Sequence, residues 1–95
     1  MQLEIAVLAA HDLSRLHMYG VDTYGAKAAD TYLAELFAKF DHLARLPFAG
    51  QERLNVLPPV RLIRQRAHNI LYAVANDRIE VLRVFHHSVN RIDLL

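Results

Sequence analysis

The chain contains no cysteine. A disulfide framework, thiolate chemistry and a cysteine-based zinc site are therefore excluded, and the composition fits the cytosol. Glycine is confined to Gly20, Gly25 and Gly50, so no glycine-rich loop can cradle a phosphate. The serines, Ser14 and Ser88, lack the context of a nucleophile elbow. No apolar run approaches the roughly 20 residues of a membrane-spanning helix. Met1–Ile5 carries neither the positive region nor the long apolar region of a signal peptide. The acidic residues are scattered, and no two carboxylates are paired by sequence. Conventional catalysis has little support from these residues, and no cofactor and no membrane are expected.

What is present is a chain of 95 residues with 54% hydrophobic side chains, enough for one domain over residues 1–95 with a single modest core. The net charge of +1 hides an uneven distribution. Before Gly50, four basic side chains stand against six acidic ones; from Gly50 onward, seven arginines stand against four acids and lysine is absent. Arginine pairs carboxylates and phosphates through a planar fork that lysine lacks, so this half is either a solvated sheet face or a binding surface.

Periodicity divides the chain. Leu3–Leu8 reads as a short first strand. A helix follows, with Leu13, Leu16 and Tyr19 or Gly20 at helical spacing, ending at Tyr24-Gly25. A second helix over Ala26–Arg45 carries an apolar stripe of Ala29, Tyr32, Leu33, Leu36, Phe37, Phe40, Leu43 and Ala44. Glu35 and Lys39 stand four apart on it in the favourable order. Pro47 stops this helix and Gly50 completes the turn. Gln51–Pro59 has no period, and Pro58-Pro59 makes its end extended. Strands are predicted over Val60–Ala67, Asn69–Val74 and Ile79–Phe85, the last two joined at Asn76-Asp77, a pair that tolerates the positive φ of a hairpin turn. The expected fold is α+β, in the order β-α-α-β-β-β, with the helical hairpin packed on one face of a small, mainly antiparallel sheet.

Six histidines invite a metal reading that their spacing does not support. His86 and His87 are adjacent on a strand, so their side chains should point to opposite faces. His11 and His17 are six apart, which is not ligand spacing. His68 and Tyr72 are expected to satisfy polar edges of the core. Arg64 and Arg66, two apart on a predicted strand, should share a face, and Arg83 could join them to hold a phosphate or an acidic partner peptide. On that reading, changing Arg64 and Arg83 together to alanine should weaken partner binding and leave the fold intact.

Several short marks then come into register. Asp12-Leu13, Tyr24-Gly25 with Ala28-Ala29 and Tyr32, and Leu43-Ala44-Arg45-Leu46-Pro47 with Gly50 and Arg53 resemble ParE-type toxins of the RelE/ParE superfamily. Val60-Arg61, His68–Tyr72 and Ile79–His86 agree, so the resemblance spans nearly the whole chain. It implies the toxin of a type II toxin–antitoxin module of the kind used in plasmid maintenance, causing growth arrest by inhibiting DNA gyrase without being an enzyme. It also implies a cytoplasmic hetero-oligomer, 2:2 or larger, with a ParD-like antitoxin that wraps the toxin, and DNA contact only through that antitoxin. Arg61, Arg64, Arg66, Arg83, His86 and Arg91 are the candidate contacts to antitoxin or target. The sequence departs from the family after His86, where an arginine and an aspartate are often found two and four residues on; here Ser88 and Asn90 stand. Two alternatives stay open: a RelE-like ribosome-dependent mRNA interferase, and an inactive relic that only binds antitoxin.

Overall fold

The computed structural model describes residues 1–53 and 59–89. The elements are β1 (Gln2–Ile5), α1 (Val7–Tyr24), α2 (Ala26–Arg45), β2 (Gln51–Arg53), β3 (Val60–Gln65), β4 (His68–Val74) and β5 (Arg78–His86). The five strands form one sheet in the order β1-β5-β4-β3-β2. β1 runs parallel to β5, and the other pairs are antiparallel. This is the expected α+β arrangement, a helical hairpin on a mostly antiparallel sheet, with one strand more than the sequence suggested. β2 was hidden because three residues are too few for a period; the remainder of the aperiodic stretch, residues 54–58, lies outside the described residues.

Boundaries shifted where local signals were weak. β1 ends at Ile5, and Val7 and Leu8 begin α1. Both are exposed, so their apolar character reflects no strand face. Gly25 is the whole joint between the helices. It has φ 94° and ψ 160°, a conformation essentially restricted to glycine, and its N–H closes α1 on the Val21 carbonyl at 3.0 Å. The β4–β5 turn holds Asn76-Asp77 at its centre, closed by Ala75 N–H donating to Arg78 O at 2.8 Å. Among the described residues, the non-glycine positive φ belongs instead to Arg66, at 50°, where β3 turns into β4.

The core lies between hairpin and sheet. Leu36, Phe40 and Leu43 of α2 and Ala9 and Leu13 of α1 pack on Ile70, Tyr72, Ile79, Val81 and Val84. Each fully buried side chain of this size contributes about 1.5–3 kcal/mol. The far face of the sheet is not simply wet, as a hairpin covering one face would leave it. Val60, Leu71 and Phe85 are buried there as a second cluster, with Leu62 and Leu82 against it. Val81 and Val84 are three apart, yet both reach the helix side. A bulge explains this: Leu71 pairs with Arg83 and Tyr72 with Val81, leaving Leu82 as the extra residue of β5. Such a bulge reverses the alternation beyond it and re-aims the following side chains.

Tyr72 ties the end of α2 to the sheet. Its hydroxyl donates to Pro47 O at 2.8 Å and accepts from Gly50 N–H at 2.8 Å. Burial pushes its phenol pKa up, only partly offset by the Gly50 N–H and the nearby Arg61 charge. A Cβ on Gly50 would meet Tyr72 Oη at 2.6 Å and the Leu62 carbonyl oxygen at 3.0 Å, so the site has no room for a larger residue. Tyr72→Phe leaves two backbone groups unpartnered and is expected to cost about 1–3 kcal/mol. Urea denaturation of the variant checks this, and a midpoint equal to that of the parent protein would refute it.

Candidate functional site

The candidate arginines are positioned by different elements and do not form one patch. Arg61 donates through Nη1 to Gly50 O at 2.8 Å and to Phe48 O at 3.4 Å. Its Nη2 reaches Glu52 at 3.3 Å, and its guanidinium lies 4.8 Å from the Phe48 ring centre. It thus fastens the segment between α2 and β2. β3 ends at Gln65, so Arg66 sits in the turn rather than on a strand face with Arg64. Arg66 pairs with Glu35 of α2, Nε to Oε1 at 2.7 Å, and Glu35 engages this arginine across the fold rather than Lys39 along its helix. Arg64 Nε donates to the Arg66 carbonyl at 2.6 Å. Among the described residues no carboxylate lies within ion-pair distance of Arg64.

Arg83 does not join the other two. It reaches α1 beyond the point where β1 stops pairing with β5, and there it forks onto Asp12: Nε to Oδ2 at 2.8 Å and Nη2 to Oδ1 at 3.0 Å. Asp12 is 8% exposed and also accepts Val84 N–H at 3.0 Å. That N–H lies on the part of β5 beyond the reach of β1, whose pairing stops at Val81. The carboxylate therefore replaces a missing strand partner, and it holds the Arg83 guanidinium above the usual arginine pKa range. The expectation that changing Arg64 and Arg83 together to alanine would leave the fold intact is corrected by this geometry, because loss of Arg83 strands a buried carboxylate. Arg91 and Asn90 lie outside the described residues.

His86 belongs to a different group, which the sequence did not assemble. His68 Nδ1 and the Tyr32 hydroxyl are 2.6 Å apart, and that hydroxyl donates to Gln65 O at 2.9 Å. The hydroxyl has one proton, so with that proton given to Gln65 O the contact is made by His68 in its Nδ1–H form. The His68 and His86 rings meet edge to face at 5.8 Å, and His86 and His87 stack at 4.5 Å. His87 follows the last residue of β5, where the chain leaves the strand, so the two rings share a side instead of alternating. Its N–H donates to Ala67 O at 2.8 Å. Ser88 answers His86 Nδ1 through Oγ at 2.7 Å and N–H at 3.2 Å. Burial first, then the charges of His86 and His87, pushes the His68 pKa down. Desolvation first, then Arg64 and His86, does the same to His87. Burial raises the Tyr32 phenol.

Beside this group a groove of about 640 Å³ opens between the C-terminal half of α1, the start of α2 and the β3–β4 turn. Tyr19, Tyr24 and Tyr32 stand along it, and Arg66, His68 and His86 close one end. Gly20 and Ala29 line it and approach closely; a Cβ on Gly20 would lie 3.2 Å from that of Ala29. Among the described residues, no three His, Asp or Glu side chains are grouped to hold a metal ion, and no helix is long and apolar enough to cross a membrane.

The helical hairpin, the parallel β1 and the short β2 edge can be set against known proteins. A family model described as the ParE toxin of type II toxin–antitoxin system parDE matches residues 3–91. The chain belongs to the ParE toxin family. It is 32% identical over 82 residues to Toxin ParE1 of Caulobacter vibrioides, covering 86% of this chain and 84% of that protein. A structure titled chromosomal ParDE TA system from P. aeruginosa superposes with a TM-score of 0.78 at 22% identity, covering 90% of this chain and 95% of the other. That likeness shows the fold. In this ParE toxin the Asp12-Leu13 mark acquires a physical meaning as the buried partner of Arg83. The signal for Asp12 was present in the sequence, yet its role needed β5 beside α1.

Proposed function

We propose that this ParE toxin arrests growth by inhibiting DNA gyrase in the cytoplasm, without an enzymatic step of its own. We further propose that a ParD-type antitoxin neutralises it in a hetero-oligomer of 2:2 or larger. The family match over residues 3–91 carries the reading. The fate of the arginines supports it over mRNA cleavage, which calls for basic groups preorganised around a scissile phosphate. Arg61, Arg66 and Arg83 are each engaged by carboxylates of the fold itself. The apolar groove with its exposed Tyr19 and Tyr24 supports a polypeptide partner, since such a patch on a small protein marks an interaction surface. Arg64 and His86 remain candidate contacts, and Arg61, Arg66 and Arg83 act mainly in shaping the surface around them.

Induction of the chain alone in bacteria, with DNA and protein synthesis followed separately, tests the target. DNA synthesis is expected to fall first, with an SOS response, and purified gyrase is expected to lose supercoiling activity when the toxin is added. A prior fall in protein synthesis would transfer the reading to mRNA cleavage. Growth without any arrest would leave an antitoxin-binding relic. Co-expression of a ParD-type antitoxin is expected to restore growth and to co-purify with the toxin.

A further inference from the structure

The histidine group gathers three imidazoles at one end of the sheet. His68 of β4 meets His86 of β5 and Tyr32 of α2, whose hydroxyl also reaches the Gln65 carbonyl of β3. From α1, Arg15 and Asp12 line the same small recess as His68 and His86. From the β3–β4 turn, Arg66 stands by His68, and the Arg64 charge acts on His87. Among the described residues, the carboxylates around this end are Asp12 and Glu35. Asp12 is taken by Arg83 and Glu35 by Arg66. Among the described residues, the guanidinium groups of Arg15, Arg64 and Arg66 stand near the rings, and neither of these carboxylates is left without a partner.

We propose that His68, His86 and His87 form a proton-linked anion site, at which a carboxylate-rich segment of the partner polypeptide binds as the histidines take up protons. The site rests on the partner reading above for the identity of its occupant. A peptide is favoured over a nucleic acid because the histidines adjoin a mainly apolar groove in which Arg66 is the one arginine among the described lining residues. The chain's near-neutral charge, and exposed acids such as Asp30, which pairs with His17 of α1, would oppose a polyanion laid along the hairpin.

The linkage has a definite sign. In the free toxin, His68 and His87 titrate below the ordinary histidine value of about 6.5. A depressed histidine contributes stability above about pH 6.5 that is lost as pH falls through its folded value. The free toxin should therefore be destabilised by acid over that window. A bound carboxylate reverses the effect, because an opposite charge nearby favours the protonated ring. Affinity for the anion must then rise as pH falls from about 7.8 to about 5.8, a range in which glutamate stays ionised.

The probe is hexaglutamate, with hexaglutamine as its neutral counterpart, titrated into the whole toxin and followed by calorimetry and by histidine ring resonances. Hexaglutamate is expected to bind about tenfold tighter at about pH 5.8 than at about pH 7.8, the equivalent of about one pKa unit of linkage. In H86Q/H87Q the gain should vanish. Both residues are exposed, so the variant should keep the parent circular dichroism spectrum; His87→Gln alone provides a milder check. Equal affinity at the two pH values, no binding at either, or a gain that survives in H86Q/H87Q would overturn the proposal. Equal pH-linked binding of inorganic phosphate would overturn the peptide occupant. The partner reading fails separately. If a ParD-type antitoxin rescues growth while hexaglutamate binding ignores pH, the proton linkage falls and the partner stands. If the antitoxin does not rescue but hexaglutamate binds with proton uptake, the site stands and that partner falls.

Discussion

Asp12→Ala is expected to lower the unfolding free energy by about 3–5 kcal/mol. The Asp12 carboxylate takes both forks of Arg83 and the Val84 N–H. The Arg83 side chain is 15% exposed. Removing the acid leaves a guanidinium without its counter-charge and a buried N–H without an acceptor. Small domains are stable by about 5–15 kcal/mol, so the variant should lose a large share of its stability and be depleted in cells, with any growth arrest reduced. Guanidinium denaturation measures the loss. The companion variant Asp12→Leu with Arg83→Met separates charge from packing. Replacing both members of a buried pair by apolar residues is commonly near neutral, so most of the loss should return, short of the unsatisfied Val84 N–H. A loss under about 1 kcal/mol for Asp12→Ala would place the pair among solvated surface bridges and refute its structural role.

Phe40→Ala should cost about as much, about 3–5 kcal/mol, through a different physical term. Phe40 is wholly buried in the cluster between α2 and the sheet. Its ring meets Phe37 edge to face at 5.4 Å. The removed ring loses its transfer free energy, and the void it leaves is lined by Leu36, Leu43 and sheet residues that cannot all close on it. Phe40→Leu refills most of the volume and should recover more than half of the loss. Thermal melting of the three proteins makes the comparison. Equal midpoints for Phe40→Ala and the parent would mean that the hairpin is not held on the sheet at this position.

The two variants differ in how far the sequence foretold them. Phe40 lies on a stripe spaced for a helix, and a stripe of that width must be buried against something. Asp12 stood among the polar positions of the first helix with nothing local to mark it as buried. Its burial follows from a sheet edge left bare where β1 stops, and strand lengths of that kind are set by pairing across the fold. The same holds for β2, which exists because Gln51–Arg53 meets Val60–Leu62, not because three residues prefer extension.

The arginines and histidines mark the limit most clearly. Alternation along a strand was a sound rule for Arg64 and Arg66, and for His86 and His87, only while the strand continued. It stopped at Gln65 and at His86, and Arg83 was drawn to Asp12 of α1 whatever the alternation implied. A one-residue change in register moves a side chain to the other face, so small boundary errors became large errors in which charges meet. Local pattern was enough for the α+β class, the extent of α2, the glycine joint between the helices, a mainly antiparallel sheet and, through marks spread along the chain, the ParE family. Tertiary structure alone decided which arginines were taken by Asp12, Glu35 and Glu52, and which rings gathered at the end of the sheet. Helical periods and turn preferences are local and survive in sequence; ion pairs and ring stacks join residues up to 71 positions apart, and only the closed fold brings them within reach.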